Sequence, residues 1–168
     1  MGSTHIDAPA GIPFIDISRE FDAPRELIYR AHTEPELLKQ WLGPRGYAMD
    51  VQRWEPRDGG VWRYTHRDEA GNEYGFHGVF HGPQTVEGML QTFEFEGAPG
   101  HVALEKLVFE ERDGRTTVRI HSVYQSLEAR DAMVASGMER GINDGHSRLD
   151  ELLARLRASE PAAAGAPH

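Results

Sequence analysis

The sequence contains no cysteine. That excludes disulfides, thiolate metal sites and cysteine nucleophiles together. Long apolar runs are missing as well: none reaches the ~18–20 residues that span a bilayer. Residues 1–10 carry neither a basic start nor an apolar core, so no secretory signal is expected there. Basic residues are the minority, 18 Lys and Arg against 27 Asp and Glu, for a formal charge of −9. That balance opposes binding to a phosphate backbone, which needs a basic face. There is no Walker loop and no GxGxxG, so no nucleotide site is read. The serines of "VYQS" and "HSR" sit in no nucleophile elbow. These absences predict a cytoplasmic chain that binds neither nucleic acid nor membrane.

The chain has 168 residues, a length that suits one domain and buries about 70% of its unfolded surface without staples. Residues 1–11 are small, polar and rich in Pro and Gly, and read as a flexible arm. Residues 12–158 form the expected single domain. Residues 159–168 are a low-complexity stretch read as a disordered tail.

Between these ends, hydrophobic periodicity predicts an α+β order of one strand, two short helices, six strands and a long helix. "IPFIDISREF" alternates Ile15, Ile17 and Arg19 with Phe14, Asp16 and Ser18, as a strand does. In "DAPRELIYRAH", Pro24 stands where a helix start tolerates it, and Leu27, Ile28 and Ala31 supply an apolar face. Thr33 and Glu36 have capping-box spacing for a second helix, which Gly43-Pro44 ends. Six strands follow, over Tyr47–Trp54, Gly60–His66, Tyr74–His81, Val86–Glu96, Val102–Glu111 and Arg115–Tyr124. Asp113-Gly114 is the strongest hairpin signal among the turns between them. Short turns imply an antiparallel meander. Apolar residues such as Trp62, Tyr64, Phe76, Phe80, Met89, Phe93 and Val118 share one face, and charged residues the other, which predicts a sheet covered on one side only.

The cover is a predicted helix from about Leu127 to Arg157, with Val134, Met138, Ile142, Leu149, Leu152, Leu153 and Leu156 on its stripe. It carries Gly137, Gly141 and Gly145 at intervals of four, each costing roughly 0.8–1 kcal/mol relative to alanine in a helix interior. The expectation is close approach to the sheet near Gly137, and open space near Gly141 and Gly145.

Four stretches, "FDAPRELIYRAHTEPELLKQWLGP", "EPRDGGVWRY", "LQTFEFEG" and "GMERGINDGHSRLDELL", resemble the START/birch-pollen-allergen superfamily (SRPBCC). More closely they resemble the bacterial proteins similar to the C-terminal domain of the activator of heat-shock protein 90 ATPase (AHSA-like). The resemblance runs from about Phe14 to Leu156 and implies a helix-grip fold: a curved antiparallel sheet wrapped around a long C-terminal helix, with a cavity between them. It departs from the family pattern at Glu55, where many relatives have Asp, at Ile142, where many have Trp, and at His146, where Leu or Tyr is common. Replacing Trp by Ile reshapes any pocket, so a relative's ligand is not carried over.

The expected function is binding of a small hydrophobic or aromatic molecule in that cavity, with a chaperone partner, or a cyclase or hydrolase using the same pocket, as alternatives. The expected lining is Trp41, Trp54, Trp62, Tyr64, His66, Phe76, Phe80, Gln91, Phe93, Met138, Gly141, Ile142, Gly145 and His146. Such sites are mostly apolar with a few placed polar groups. Entry is expected near Trp41 and the Gly43-Pro44 loop. His66 and His146 are the only histidines placed for acid–base work; no catalytic residue is assigned. His77 and His81 fall on the outer face of one strand ~13 Å apart, too far for one metal, so neither metal nor cofactor is expected. The chain is expected as monomer or homodimer.

Overall fold

The computed structural model describes residues 2–159. Its strands are β1 His5–Asp7, β2 Phe14–Phe21, β3 Ala48–Trp54, β4 Val61–Arg67, β5 Glu73–Val79, β6 Gly88–Phe95, β7 Val102–Arg112 and β8 Arg115–Val123. Its helices are α1 Arg25–Thr33, α2 Pro35–Leu38, α3 Leu127–Ala135 and α4 Met138–Ser159. The strands form one antiparallel sheet in the order β1-β2-β8-β7-β6-β5-β4-β3. β3 to β8 follow one another as the expected meander, and β2 closes it by pairing with β8. Asp113 and Gly114 both take positive φ, 54° and 77°, the geometry that an Asp-Gly hairpin turn requires.

The sheet is curved, and α4 lies on its concave face. Leu149, Leu152 and Leu153 of α4 are buried with Trp62, Tyr64, Phe80, Met89, Leu107, Phe109 and Val118 of the sheet. α1 joins the same core through Leu27, Ile28 and Ala31. Together with α2 it carries the chain from β2 near one edge of the sheet to β3 at the other. This is the expected α+β helix-grip architecture. No described helix is long and apolar enough to cross a membrane.

Three details differ from the expectations, and one expectation falls outside the described residues. The arm over residues 1–11 contains β1, which pairs with β2 through Ile6 opposite Ile17. The polar composition hid it, because its holding groups lie on other elements. The Gly2 carbonyl accepts from the Arg19 guanidinium at 2.9 Å, and Thr4 Oγ1 meets His146 Nδ1 at 2.9 Å. The tail read over 159–168 lies, apart from Ser159, outside the described residues. Thr33 does not cap α2: its hydroxyl donates back to the Tyr29 carbonyl at 2.7 Å, and the N-cap position is taken by Glu34. The long helix is two, because Gly137 takes φ 87° between α3 and α4.

The glycine expectations reverse. Gly137 approaches nothing; an added Cβ there would meet open space, and its role is the left-handed break that other residues disfavour. Gly145 is the point of close approach. A Cβ there would stand 3.3 Å from the Trp41 carbonyl oxygen and 3.4 Å from the Gly43 nitrogen, so α4 rests on the backbone after α2. At Gly141 the nearest atom would be Pro44 Cδ at 3.8 Å, an ordinary contact.

Gly145→Leu is therefore expected to destabilise the fold by more than about 2 kcal/mol, because backbone cannot yield as a side chain can. Gly141→Ala is expected to stabilise it by up to ~1 kcal/mol through helix propensity. Urea unfolding of the two variants checks this pair; an unchanged midpoint for Gly145→Leu would mean that the helix–loop contact is slack.

Candidate functional site

Three tryptophans were expected on the concave face, and their indole N–H groups have different fates. Trp41 Nε1 donates to the Ala31 carbonyl at 2.9 Å, and Trp54 Nε1 to the Thr33 carbonyl at 2.7 Å. Both acceptors belong to the last turn of α1, whose carbonyls have no partner within the helix. These two residues fasten α1 to its surroundings. Trp62 Nε1 is buried and has no hydrogen-bond partner, although the residue is only 2% exposed. Its ring lies over Gly78, where a Cβ would come within 2.7 Å of the indole.

From Trp62 an aromatic layer spreads over β4, β5 and β6. Trp62 stacks on Tyr64 with centroids 5.2 Å apart, and Tyr64 on Phe76 at 5.3 Å. Phe76 continues to Phe93 at 5.5 Å and to Phe95 at 5.2 Å. The layer is sealed at one end only. Trp62, Tyr64, Phe80 and Met89 are buried, whereas Phe76, Gln91, Phe93, Phe95, Ile120 and Tyr124 on the same face are half-buried. So are Met138, Gly141 and Ile142 at the start of α4, and α3 buries only Arg130. The less buried end therefore lies towards α3. Trp41, beside which entry was expected, is locked into the core, and Gly145 packs against the backbone next to it.

Of the expected polar residues, His146 belongs to another environment. Thr4 holds its Nδ1, its ring edge meets Phe21 at 5.3 Å, and its carbonyl accepts from Arg19 at 2.7 Å. Arg19 in turn pairs with Asp150 and lies over the Phe21 ring. His146 thus ties α4 to β1 and β2. His66 packs its ring against Gly43, where a Cβ would fall 2.6 Å away, and its Nε2 has no partner. Two carboxylates of neighbouring sequence are engaged elsewhere, Glu55 with Arg53 and Arg57, and Asp50 with Arg67. No His–carboxylate pair forms at His66.

Sequence reasoning missed Glu105. It stands opposite Gln91 on β6 and Ser122 on β8, on the face shared with the buried Ala103, Leu107 and Phe109. Gln91 Nε2 donates to Glu105 Oε1 at 3.2 Å. Burial lifts the Glu105 carboxyl above the ordinary carboxylate range, while hydrogen bonds from Gln91 and Ser122 pull it back. Burial, aided by the Glu105 charge, also pushes the Tyr64 and Tyr124 phenols up. Two-residue alternation from Leu107 and Phe109 would have found it. His32 was also passed over: its Nδ1 donates to the Ile28 carbonyl at 2.7 Å inside the core.

On the outer face, His77 lies between Glu94 and Glu96, at 3.3 Å and 2.9 Å, and Glu96 also pairs with Arg63. Among the described residues no group of three His, Asp or Glu side chains is arranged to hold a metal ion. Two shallow depressions lie away from the concave aromatic layer. One is between α2 and β3, from Pro35 to Trp54, and the other is on the outer face around Asp16, Lys106, Arg119 and His121.

A curved antiparallel sheet closed by a long C-terminal helix, with its aromatic face inward, defines a helix-grip protein of the START type, an architecture that encloses ligand cavities in that superfamily. Within it, the family model described as activator of Hsp90 ATPase homolog 1-like protein matches residues 22–154, and the chain belongs to that family. A Rhodobacter sphaeroides protein of known structure is 27% identical with a TM-score of 0.83, over 91% of this chain and 99% of that one. An Arthrobacter aurescens protein is 22% identical with a TM-score of 0.83, over 98% and 97%. A Mycobacterium smegmatis protein is 22% identical with a TM-score of 0.81, over 89% and 95%. The last two likenesses speak to the fold alone. Comparison with curated proteins finds no match.

Three buried histidines set the response to acid. Burial holds His32 and His66 down at about 4, and His146 at about 3. For His146 the Arg19 charge adds to burial; for His66 a hydrogen bond to the Leu42 backbone partly offsets it. The folded values lie below the unfolded value of about 6.5, so the unfolded chain takes up protons first. The stability these neutral imidazoles contribute is complete above about pH 6.5 and falls as the pH drops towards 4 and 3. The slope is roughly 1.4 kcal/mol per pH unit for each histidine. Thermal melts between about pH 6.5 and 4.5, above the range where lowered carboxylates titrate, should show this fall. His146→Gln should remove about a third of the histidine slope. A flat profile in the wild type would show that the imidazoles are not kept neutral.

Proposed function

We propose that this protein binds a small hydrophobic or aromatic molecule against the concave aromatic layer, between the sheet and the α3–α4 arm. The observation that carries this reading is the buried, unpartnered indole N–H of Trp62. A buried donor left without an acceptor costs about 1–3 kcal/mol, and the other two tryptophans both have acceptors. A ligand oxygen or nitrogen would complete it. The half-buried Phe76 and Phe93 beside it supply apolar surface whose removal from water contributes ~25 cal/mol per Å² before ordering costs.

In this reading Trp62, Tyr64, Phe76, Phe93 and Gln91 contact the ligand, with Met138 and Ile142 above them. Trp41, Trp54 and Phe80 support the layer, and Gly145 sets the height of the helix. Entry is from the α3 end. The reaction performed on the ligand, if the site is catalytic, has no residue assigned to it.

The test is an NMR titration against flat aromatic compounds with and without a hydrogen-bond acceptor. Acceptor-bearing compounds should perturb the Trp62 indole resonance, and Trp62→Phe should weaken them about 5- to 10-fold, the worth of one neutral hydrogen bond. Because it removes an unsatisfied donor, the same change should cost the free protein less than a typical core aromatic truncation of ~3–5 kcal/mol. A panel that leaves every concave-face resonance unmoved would overturn the reading.

A further inference from the structure

The polar groups of the concave face are gathered on three neighbouring strands. Gln91, Glu105 and Ser122 stand side by side in register on β6, β7 and β8. Tyr124 follows Ser122 by one two-residue step on the same face and hydrogen-bonds to it. The hydrogen bond that reaches Glu105 comes from a neutral donor, the Gln91 amide, and the neutral Ser122 hydroxyl stands beside it in register. Several acidic residues of the outer face are paired differently: Glu96 with Arg63, Glu110 with Arg119, Asp16 with His121. Asp150, on the inner side, has Arg19. Among the described residues no Arg, Lys or His stands within ion-pair distance of Glu105. Arg130, the cation that acts on Tyr124, is committed to Asp131 and to the carbonyls of Pro9 and Phe14.

Glu105 is half-buried, and a carboxylate drawn partly out of water without a cation carries a cost. Here the side chain is held by the Gln91 amide, which favours its ionised form, yet the countercharge is missing. Phe93 and Phe76, whose π-faces attract cations, lie on the adjoining strands of the same face. Trp62 on β4 is three strands from Glu105 on β7, or ~14 Å at sheet spacing, a span comparable to a fused-ring body with its substituent. The net charge of −9 biases encounter towards cations.

We propose that the ligand of this site is an organic cation: an aromatic or apolar body bearing an ammonium group that pairs with the Glu105 carboxylate. The body lies along Phe93 and Phe76 towards Trp62. This rests on the reading of the concave face as a ligand site and adds the chemical class to it. Burial keeps a share of free Glu105 as the neutral acid at pH values where an exposed glutamate is ionised. Ammonium binding then displaces that proton to the buffer. Affinity for the cation rises with pH through the raised carboxyl value. A ligand that instead accepted a hydrogen bond from the neutral acid would bind more weakly as the pH rose. The groups around the carboxyl are Tyr64, Gln91, Ser122 and Tyr124; both phenols are pushed up, so they stay neutral across this window.

The test uses three probes of one shape on the full chain: (2-naphthyl)methylamine, (2-naphthyl)methanol and 2-naphthoate. Titrations followed by calorimetry and NMR run between about pH 5 and 8, over which the amine stays protonated. The amine should bind at least ~10-fold more tightly than the alcohol, the scale of a charge-assisted hydrogen bond. That advantage should grow with pH, and Glu105→Gln should abolish it while leaving the alcohol's affinity within about 2-fold. Should Glu105→Gln fail to fold, the wild type still decides. Calorimetry of the amine in two buffers of different ionisation enthalpy must show proton release at the acid end of the range; none overturns the proposal. An amine that binds no better than the alcohol, or an advantage that survives in Glu105→Gln, overturns the cation assignment and leaves the ligand site standing. If no probe perturbs a concave-face resonance, the site itself falls and the assignment with it.

Discussion

The structure depends on how closely one helix can approach one face of one sheet. The sheet is apolar on its concave side only, so that side must be covered, and α4 is the element long enough to do it. Its seat is set at Gly145, where the helix surface meets the backbone of Trp41 and Gly43 within van der Waals distance. A side chain there would lift the helix from its support. With the contact made, Leu149, Leu152 and Leu153 reach the aromatic residues of β4 and the aliphatic residues of β6 to β8. α1 and α2 are held against the same core, with the indoles of Trp41 and Trp54 bound to the last carbonyls of α1.

The opposite flank of α4 is fastened by polar chemistry. Arg19 is buried beside Ile15 and Ile17 on β2, and its guanidinium is shared among Asp150, the His146 carbonyl and the Gly2 carbonyl. A buried cation is tolerated only with such complete pairing. The N-terminal segment is drawn in to complete it, which is why β1 exists as an edge strand. One flank of α4 is thus packed on backbone and the other tied by charge. The break at Gly137 leaves α3 with little burial, so the more and the less buried ends of the concave face are consequences of the same arrangement.

Much of this was legible in the residues. The strand alternation of Trp62, Tyr64 and Phe76 placed them inward correctly, and Asp113-Gly114 marked its hairpin, because periodicity and turn chemistry are local. Glu105 was legible too, because two-residue alternation puts it on the face of Leu107 and Phe109. His146 was not legible. Its place on the helix stripe shows that it faces inward, but the side chain that holds it, Thr4, lies 142 residues away. Gly137 and Gly145 look alike in the sequence and do opposite things. One supplies a positive φ that ends a helix, and the other an absent Cβ that admits a backbone.

By itself the sequence determined the order of the main strands and helices and the one-sided character of the sheet, because both follow from spacing along the chain, and four of its stretches carried the resemblance to the family. Only the tertiary structure decided which glycine bears the contact, which tryptophan lacks an acceptor and which carboxyl lacks a cation. Those properties belong to pairs of groups brought together by folding. An indole N–H or a carboxyl is satisfied or unsatisfied only with respect to neighbours that the chain supplies from elsewhere.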